Sequence, residues 1–165
     1  MTNVVAEIAP FREADFARLD EIRARAFAPV FRALRQLVGP DVAGVVFADA
    51  EAEQGLLLER LCAPESVERV FVARVDDKVV GFVSILLDDA QMVGEIGLNA
   101  VDPDYAGCGI GTQLYAFALE EMRAAGMKVA AVSTGADPSH APARRAYAKA
   151  GFSCAVPSQW MYKRL

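Results

Sequence analysis

Val101-Asp102-Pro103-Asp104-Tyr105-Ala106-Gly107-Cys108-Gly109-Ile110-Gly111-Thr112 carries an apolar segment into three glycines at alternate positions and then directly into a helical pattern. Glycine removes Cβ where an anion must approach the main chain, and the unpaired N–H groups of the first helical turn add donors and positive dipole. The stretch therefore predicts a strand, a phosphate-holding loop and a helix start. A dinucleotide fingerprint, Gly-x-Gly-x-x-Gly, would need glycine where Thr112 stands, and no βαβ unit precedes the loop. A Walker loop would need lysine after Gly111. A plain strand-to-helix turn needs one glycine, not three at period two.

Outward from this loop the chain reads as one domain over 1–165, with 54% apolar residues, enough for a core. Its start, Met1 to Glu7, has neither the basic nor the long apolar region of a secretory signal. The apolar run from Val79 to Leu87 is far short of the roughly 20 residues that span a bilayer. Cys62, Cys108 and Cys154 are odd in number and widely spaced, which fits neither a disulfide framework nor a zinc site, so no metal is expected and a reducing, cytoplasmic compartment is. A net charge of −5 argues against nucleic acid and anionic membrane as partners and favours cationic ligands.

Periodicity predicts a strand over Val4–Ile8 and a helix through Phe16, Leu19, Ile22 and Phe27 that Pro29 interrupts. A second helical piece ends at Gly39-Pro40, and 41–62 reads as one more helix. From Arg69 the period becomes that of a hairpin turning at Asp76-Asp77-Lys78, followed by a strand over 92–101. The helix after the glycines stops at Gly126, 127–133 is a strand, a short helix opens at Pro142 and closes at Gly151, and 158–165 is a last strand. The order β-α-α(-α)-β-β-β-α-β-α-β-β predicts a mixed α/β (α+β) fold, with a central, mostly antiparallel sheet flanked by helices.

Downstream of the loop runs His140-Ala141-Pro142-Ala143-Arg144-Arg145-Ala146-Tyr147-Ala148-Lys149-Ala150-Gly151-Phe152. The two stretches together resemble the GNAT N-acetyltransferase superfamily. Its loop, Arg/Gln-x-x-Gly-x-Gly/Ala, aligns with Ala106, Gly109 and Gly111; its later motif, Asn-x-x-Ala followed by Tyr and Gly-Phe, aligns with His140, Ala143, Tyr147, Gly151 and Phe152. The resemblance covers roughly 69–152 and implies a domain that moves an acetyl group from acetyl-CoA, without a metal, to a primary amine of a small molecule or peptide. It implies that the backbone of Ala100 and Val101 and the loop Cys108, Gly109, Ile110, Gly111 and Thr112, with His140, hold the cofactor. It implies Tyr147 as general acid and, from the pattern Glu-Ile-x-x-x-Ala-Val, Glu95 as general base. Such folds commonly dimerise through the C-terminal strand, a homodimer this sequence does not specify.

The chemistry supports looking for both groups. An alkylamine of pKa about 10.4 is neutral in about one molecule in a thousand at pH 7.4, a deficit of roughly 4 kcal/mol. A carboxylate such as Glu95 becomes an effective base when burial raises its pKa, or acts through water. Tyr147 can donate to the leaving thiolate as charge develops there, and donors near a strand irregularity at Leu98-Asn99 could polarise the thioester carbonyl.

Bland readings stand beside these. Glu95 fits a solvent-facing strand residue and Tyr147 a core aromatic. His140 fits a polar contact or cap, and a Cys108–His140 nucleophilic pair lacks a group to orient the histidine. Arg144, Arg145 and Lys149 are candidates for the cofactor's 3′-phosphate or for a solvated helix face. Glu13, Asp15, Asp20 and Glu21 could steer a cationic amine, and Phe27, Phe31 and Phe47 could line its pocket or pack the core. Ala106 departs from the family's Arg or Gln, which predicts weaker cofactor binding. A non-catalytic acyl-CoA-binding regulatory module is the alternative reading.

Overall fold

The computed structural model describes residues 4–165, so Met1–Asn3, part of the start read above, lie outside the described residues. The elements are β1 (Glu7–Pro10), α1 (Phe16–Val38), α2 (Pro40–Val46), α3 (Ala50–Cys62), β2 (Arg69–Val75), β3 (Lys78–Asp88), β4 (Val93–Val101), α4 (Ile110–Ala124), β5 (Val129–Val132) and α5 (Ala141–Lys149). The strands form one sheet in the order β1-β2-β3-β4-β5. Every neighbour pair is antiparallel except β4 and β5. The mixed, mostly antiparallel class expected from the sequence is the one observed.

The β2–β3 hairpin closes through Asp76 and Asp77, both left-handed at φ +48° and +62°, the mirror-image turn whose twist matches two paired strands. Apolar residues on the two sheet faces build two cores. On one, Val83, Ile85 and Ile96 meet Ile110, Leu114, Ala118 and Met122 of α4 and Tyr147 of α5. On the other, Val72 and Phe82 meet Leu19 and Ile22 of α1 and Leu58 of α3. Leu114 is 1% exposed, and Leu114→Ala is expected to cost about 3 kcal/mol of unfolding free energy, measured by urea titration.

Four expectations need correction. The first strand begins at Glu7 rather than Val4. Helix α1 runs unbroken through Pro29, which sits exposed, so the carbonyl it frees at Arg25 is not sealed in a core. The single helix expected over 41–62 is two, parted at Phe47–Asp49. No strand forms over 158–165. Instead the tail returns to α2, where Tyr162 lies edge-on to Phe47 at 6.4 Å and Arg164 pairs with Asp41 at 2.6 Å.

Candidate functional site

Strands β4 and β5 pair from Val93–Val129 to Ile96–Val132, and there the ladder ends. At the same level β4 bulges: Asn99 stands opposite Val83 and Ile96 opposite Ile85, so Gly97 and Leu98 together face Ser84. The irregularity expected at Leu98-Asn99 thus lies one residue earlier. Beyond it the two strands part, and a cleft of about 780 Å³ opens, lined by Gly97–Val101, Ser133, Thr134, the glycine loop, the start of α4, α5, and Ala26, Phe27 and Val30 of α1.

The three glycines do different work. Gly107 and Gly109 adopt φ +77° and +84°, where a side chain is strained, and Gly109 is the N-cap of α4. Gly111 has ordinary helical backbone, and a Cβ there would meet no protein atom closer than 3.8 Å. Its bareness leaves room on the cleft side, beside the first-turn amides of Ile110, Gly111 and Thr112 that an α-helix leaves without partners. With Arg145 and Lys149 also in the lining, the residues present fit a phosphorylated cofactor.

Ala100, Val101, Gly109, Ile110, Gly111, Thr112, His140 and Tyr147 all line this cleft. Cys108 does not; its thiol lies 4.0 Å from the Ala106 carbonyl, and its own carbonyl accepts from Val4 N–H. Glu95 is exposed and outside the lining. Its neighbours Gly94 and Ile96 face α4, so strand alternation turns Glu95 to the α1 side of the sheet.

Tyr147 is 6% exposed, its ring 4.7 Å from that of Tyr115. Tyr115 donates its hydroxyl to Asn99 Oδ1 at 2.8 Å, and Asn99 Nδ2 donates to the Tyr147 oxygen at 3.1 Å. With Oδ1 already accepting from Tyr115, the 3.5 Å approach of the Tyr147 hydroxyl to it is the poorer contact. Tyr147 therefore accepts from Asn99, and its own proton is held only by that long contact. Burial first, and then the neighbouring Tyr147, push the Tyr115 hydroxyl well above the ordinary phenol range, so Tyr115 stays a neutral donor. The Asn99 side chain and Tyr115 were not singled out from sequence; the available signal was an amide side chain among the apolar residues from Ile96 to Val101.

His140 is the N-cap residue of α5, but its ring makes no cap bond. Nδ1 lies 2.5 Å from Asp137 Oδ2, so the orienting group that the sequence reading lacked is present. Burial alone would raise the Asp137 carboxyl; hydrogen bonds from Ser139 and His140 outweigh it and hold the acid below its usual range. Arg144 is turned away from any phosphate, donating to the carbonyls of Gly135 at 2.5 Å and Asp137 at 2.8 Å. Of the acidic residues read as steering a cation, three are engaged: Asp15 with Arg74, Asp20 with Arg23 and Glu21 with Arg18, at 2.6–2.7 Å. Phe27 lines the cleft, Phe31 is buried beside it and Phe47 holds the tail. Burial pushes the Cys62 thiol up to about 11, which removes it as a nucleophile at neutral pH.

Residues 31–152 match the Acetyltransferase (GNAT) family. The chain belongs to the GNAT acetyltransferase family. Among solved structures, it resembles a PaiA N-acetyltransferase from Thermoplasma acidophilum in complex with coenzyme A, with 16% identity, TM-score 0.70 and 94% of each chain covered. It also resembles AAC(6')-Iy in complex with a CoA-S-monomethyl-acetylneamine bisubstrate analog, with 17% identity, TM-score 0.64, and 98% and 99% of the two chains covered. A third is a GNAT family acetyltransferase from Brucella melitensis in complex with acetyl-CoA, with 21% identity, TM-score 0.62, and coverage of 91% of this chain and 84% of that one. At these identities the likeness is one of fold. No curated protein sequence matches this GNAT chain. No helix is long and apolar enough to cross a membrane among the described residues.

Proposed function

We propose that this chain, as one domain over 1–165, is a cytoplasmic N-acetyltransferase that moves the acetyl group of acetyl-CoA to a primary amine by direct attack in a ternary complex. The observation that carries this reading is the Tyr147 hydroxyl, fixed by Asn99 at the point where β4 and β5 part, in the same cleft as the glycine loop. Acetyl-CoA supplies an activated thioester. The loop amides from Gly109 to Thr112 hold its pyrophosphate, main-chain groups of Ala100 and Val101 pair with its pantetheine arm, and His140 contacts it from α5. The amine nitrogen attacks the thioester carbon, the carbon–sulfur bond breaks, and Tyr147 gives its proton to the departing sulfur. The amine's own surplus proton leaves on the α1 side of β4.

Thiol release from acetyl-CoA across a panel of amines, with cofactor binding measured by calorimetry, tests the reading. Amine-dependent release is the expected result; binding without release supports a regulatory acyl-CoA-binding module, and no binding overturns the assignment. Ala106 is exposed at the cleft. Ala106→Arg is expected to tighten acetyl-CoA binding by about tenfold, the effect of one charge-assisted hydrogen bond of about 1.5 kcal/mol. An unchanged Kd in the same calorimeter would show that this position contributes nothing.

A further inference from the structure

Ser84 is the single polar side chain in the run Val79–Ile85 of β3, and it is fully buried. A buried hydroxyl needs a partner, and this one donates to Glu68 Oε2 at 2.9 Å. Glu68 lies half-buried just before β2, its amide held by Ser66 Oγ at 3.2 Å. The carboxylate is thus braced from a core strand rather than left to solvent.

Its position is set by the bulge. A Cβ on Gly97 would stand 2.5 Å from Ser84 Oγ and 2.9 Å from Glu68 Oε2, so only glycine fits, and Gly97 itself lines the cleft. Ser84 therefore holds the Glu68 carboxylate against Gly97, a residue of the cleft wall, at the place where β4 leaves β5, although Glu68 itself is not among the lining residues. Leu98 and Ala100 face the α1 core while Asn99 reaches Tyr115 and Tyr147 on the opposite face. Glu68 lies on the α1 side, so it and Tyr147 flank β4 from opposite faces.

The charges around it leave it available. Arg69, the next residue, reaches Glu121 of α4 on the opposite face at 3.8 Å. Arg23 of α1 is engaged by Asp20. Leu86 stands between Glu68 and Glu95, since Glu95 pairs with Leu86 and Glu68 is one position beyond the Arg69–Ile85 pair. Among the described residues no Lys, Arg or His forms an ion pair with Glu68, whose side-chain partner is the Ser84 hydroxyl. A half-buried carboxylate without a cation is suited to an ammonium.

We infer that Glu68, braced by Ser84 and admitted by Gly97, binds the ammonium of a cationic acceptor amine and takes its proton, and that Glu95 is not the base. The inference rests on the acetyl-transfer reading and adds its missing half. The amine enters under Ala26, Phe27 and Val30; one ammonium proton goes to Glu68, the nitrogen forms the amide bond, the electron pair of the broken carbon–sulfur bond leaves with sulfur, which takes the Tyr147 proton, and the second proton lost from nitrogen restores Tyr147.

The test measures kcat/KM for the fastest alkylamine among spermidine, 1,4-diaminobutane and Nα-acetyl-lysine, with acetyl-CoA binding in parallel. Glu68→Gln is expected to lose about 100-fold at pH 7.4. That loss should shrink to under about tenfold at pH 9.4, where the neutral fraction of an amine of pKa about 10.4 is some 100-fold larger and no base is needed. The Kd for acetyl-CoA should stay within about twofold, Glu95→Gln should stay within about threefold in rate, and Ser84→Ala, which keeps the carboxylate but removes its brace, should lose about tenfold. A Glu68→Gln chain as active as the unaltered one, a loss that pH does not relieve, or a loss carried by Glu95→Gln would each overturn the inference. Should Glu68→Gln not fold, Ser84→Ala decides in its place by the same pH relief, and full activity there overturns the inference. Binding of acetyl-CoA without thiol release by the unaltered chain would instead remove the acetyl-transfer reading itself.

Discussion

Tyr147→Phe lowers kcat for acetyl transfer by about 100-fold, at the lower bound expected for a positioned proton donor, and leaves the Kd for coenzyme A within about twofold. The ring is retained, so its contacts with Tyr115 at 4.7 Å and Phe152 at 5.9 Å persist and the change isolates one hydroxyl. That hydroxyl accepts from Asn99, and its own proton makes only a 3.5 Å approach to Asn99 Oδ1, which Tyr115 already engages at 2.8 Å. Removing it takes away stabilisation of the departing thiolate but no binding surface. Single-turnover measurement of thiol release with pre-bound acetyl-CoA separates the two. A variant with full kcat would assign Tyr147 to packing alone and return the search to a water molecule or the amide donors of β4.

Asp102→Asn destabilises the chain by about 3 kcal/mol, equivalent to a fall of about 6–12 °C in Tm for a chain of this size. Asp102 has no exposed surface, yet it receives Arg18 and, at 2.9 Å, Arg25 from α1, and the Asp104 amide at 3.0 Å. It therefore ties α1 to the end of β4 and to the glycine loop. Burial alone would raise its carboxyl; the Asp104 amide and the two guanidinium groups outweigh that and hold it below the usual carboxylate range. A depressed pKa stabilises the folded chain at pH above the unfolded value of about 3.9, and that contribution is lost as pH falls through the folded value. The gap in stability between the unaltered chain and Asp102→Asn is thus full at pH 7 and narrows in acid, which thermal unfolding from pH 7 to pH 3 measures.

The parts legible in sequence are those where local chemistry and final structure agree. Alternate glycines announced the loop, two aspartates the hairpin turn, and the spacing from His140 to Phe152 brought Tyr147 into the cleft. What sequence could not show depends on partners distant along the chain. Pro29 breaks a helix by local rules, but α1 is held by Leu19 and Ile22 on the sheet and by Arg18 and Arg25 on Asp102. The aromatic tail has the composition of a strand, yet it pairs with neither β1 nor β5, the two edges of the sheet, and Tyr162 and Arg164 settle on α2 instead. Glu95 satisfied a linear pattern and lies outside the cleft lining, whereas the proposed base, Glu68, is separated from Gly97 by two strands along the chain. Its trace in the sequence was Ser84, a hydroxyl in a run of apolar residues.

Ile96–Val132 is the last rung between β4 and β5, and the main-chain groups of β4 beyond it that point away from β3 have no strand beside them. On the proposed function a pantetheine arm laid along that edge would complete the sheet, and the cofactor would be a fold component as well as a reactant. Such coupling makes resistance to unfolding a function of ligand concentration, adding about 2.7 kcal/mol at a hundred times Kd. The protein's lifetime against heat and proteolysis would then rise and fall with the acetyl-CoA supply around it.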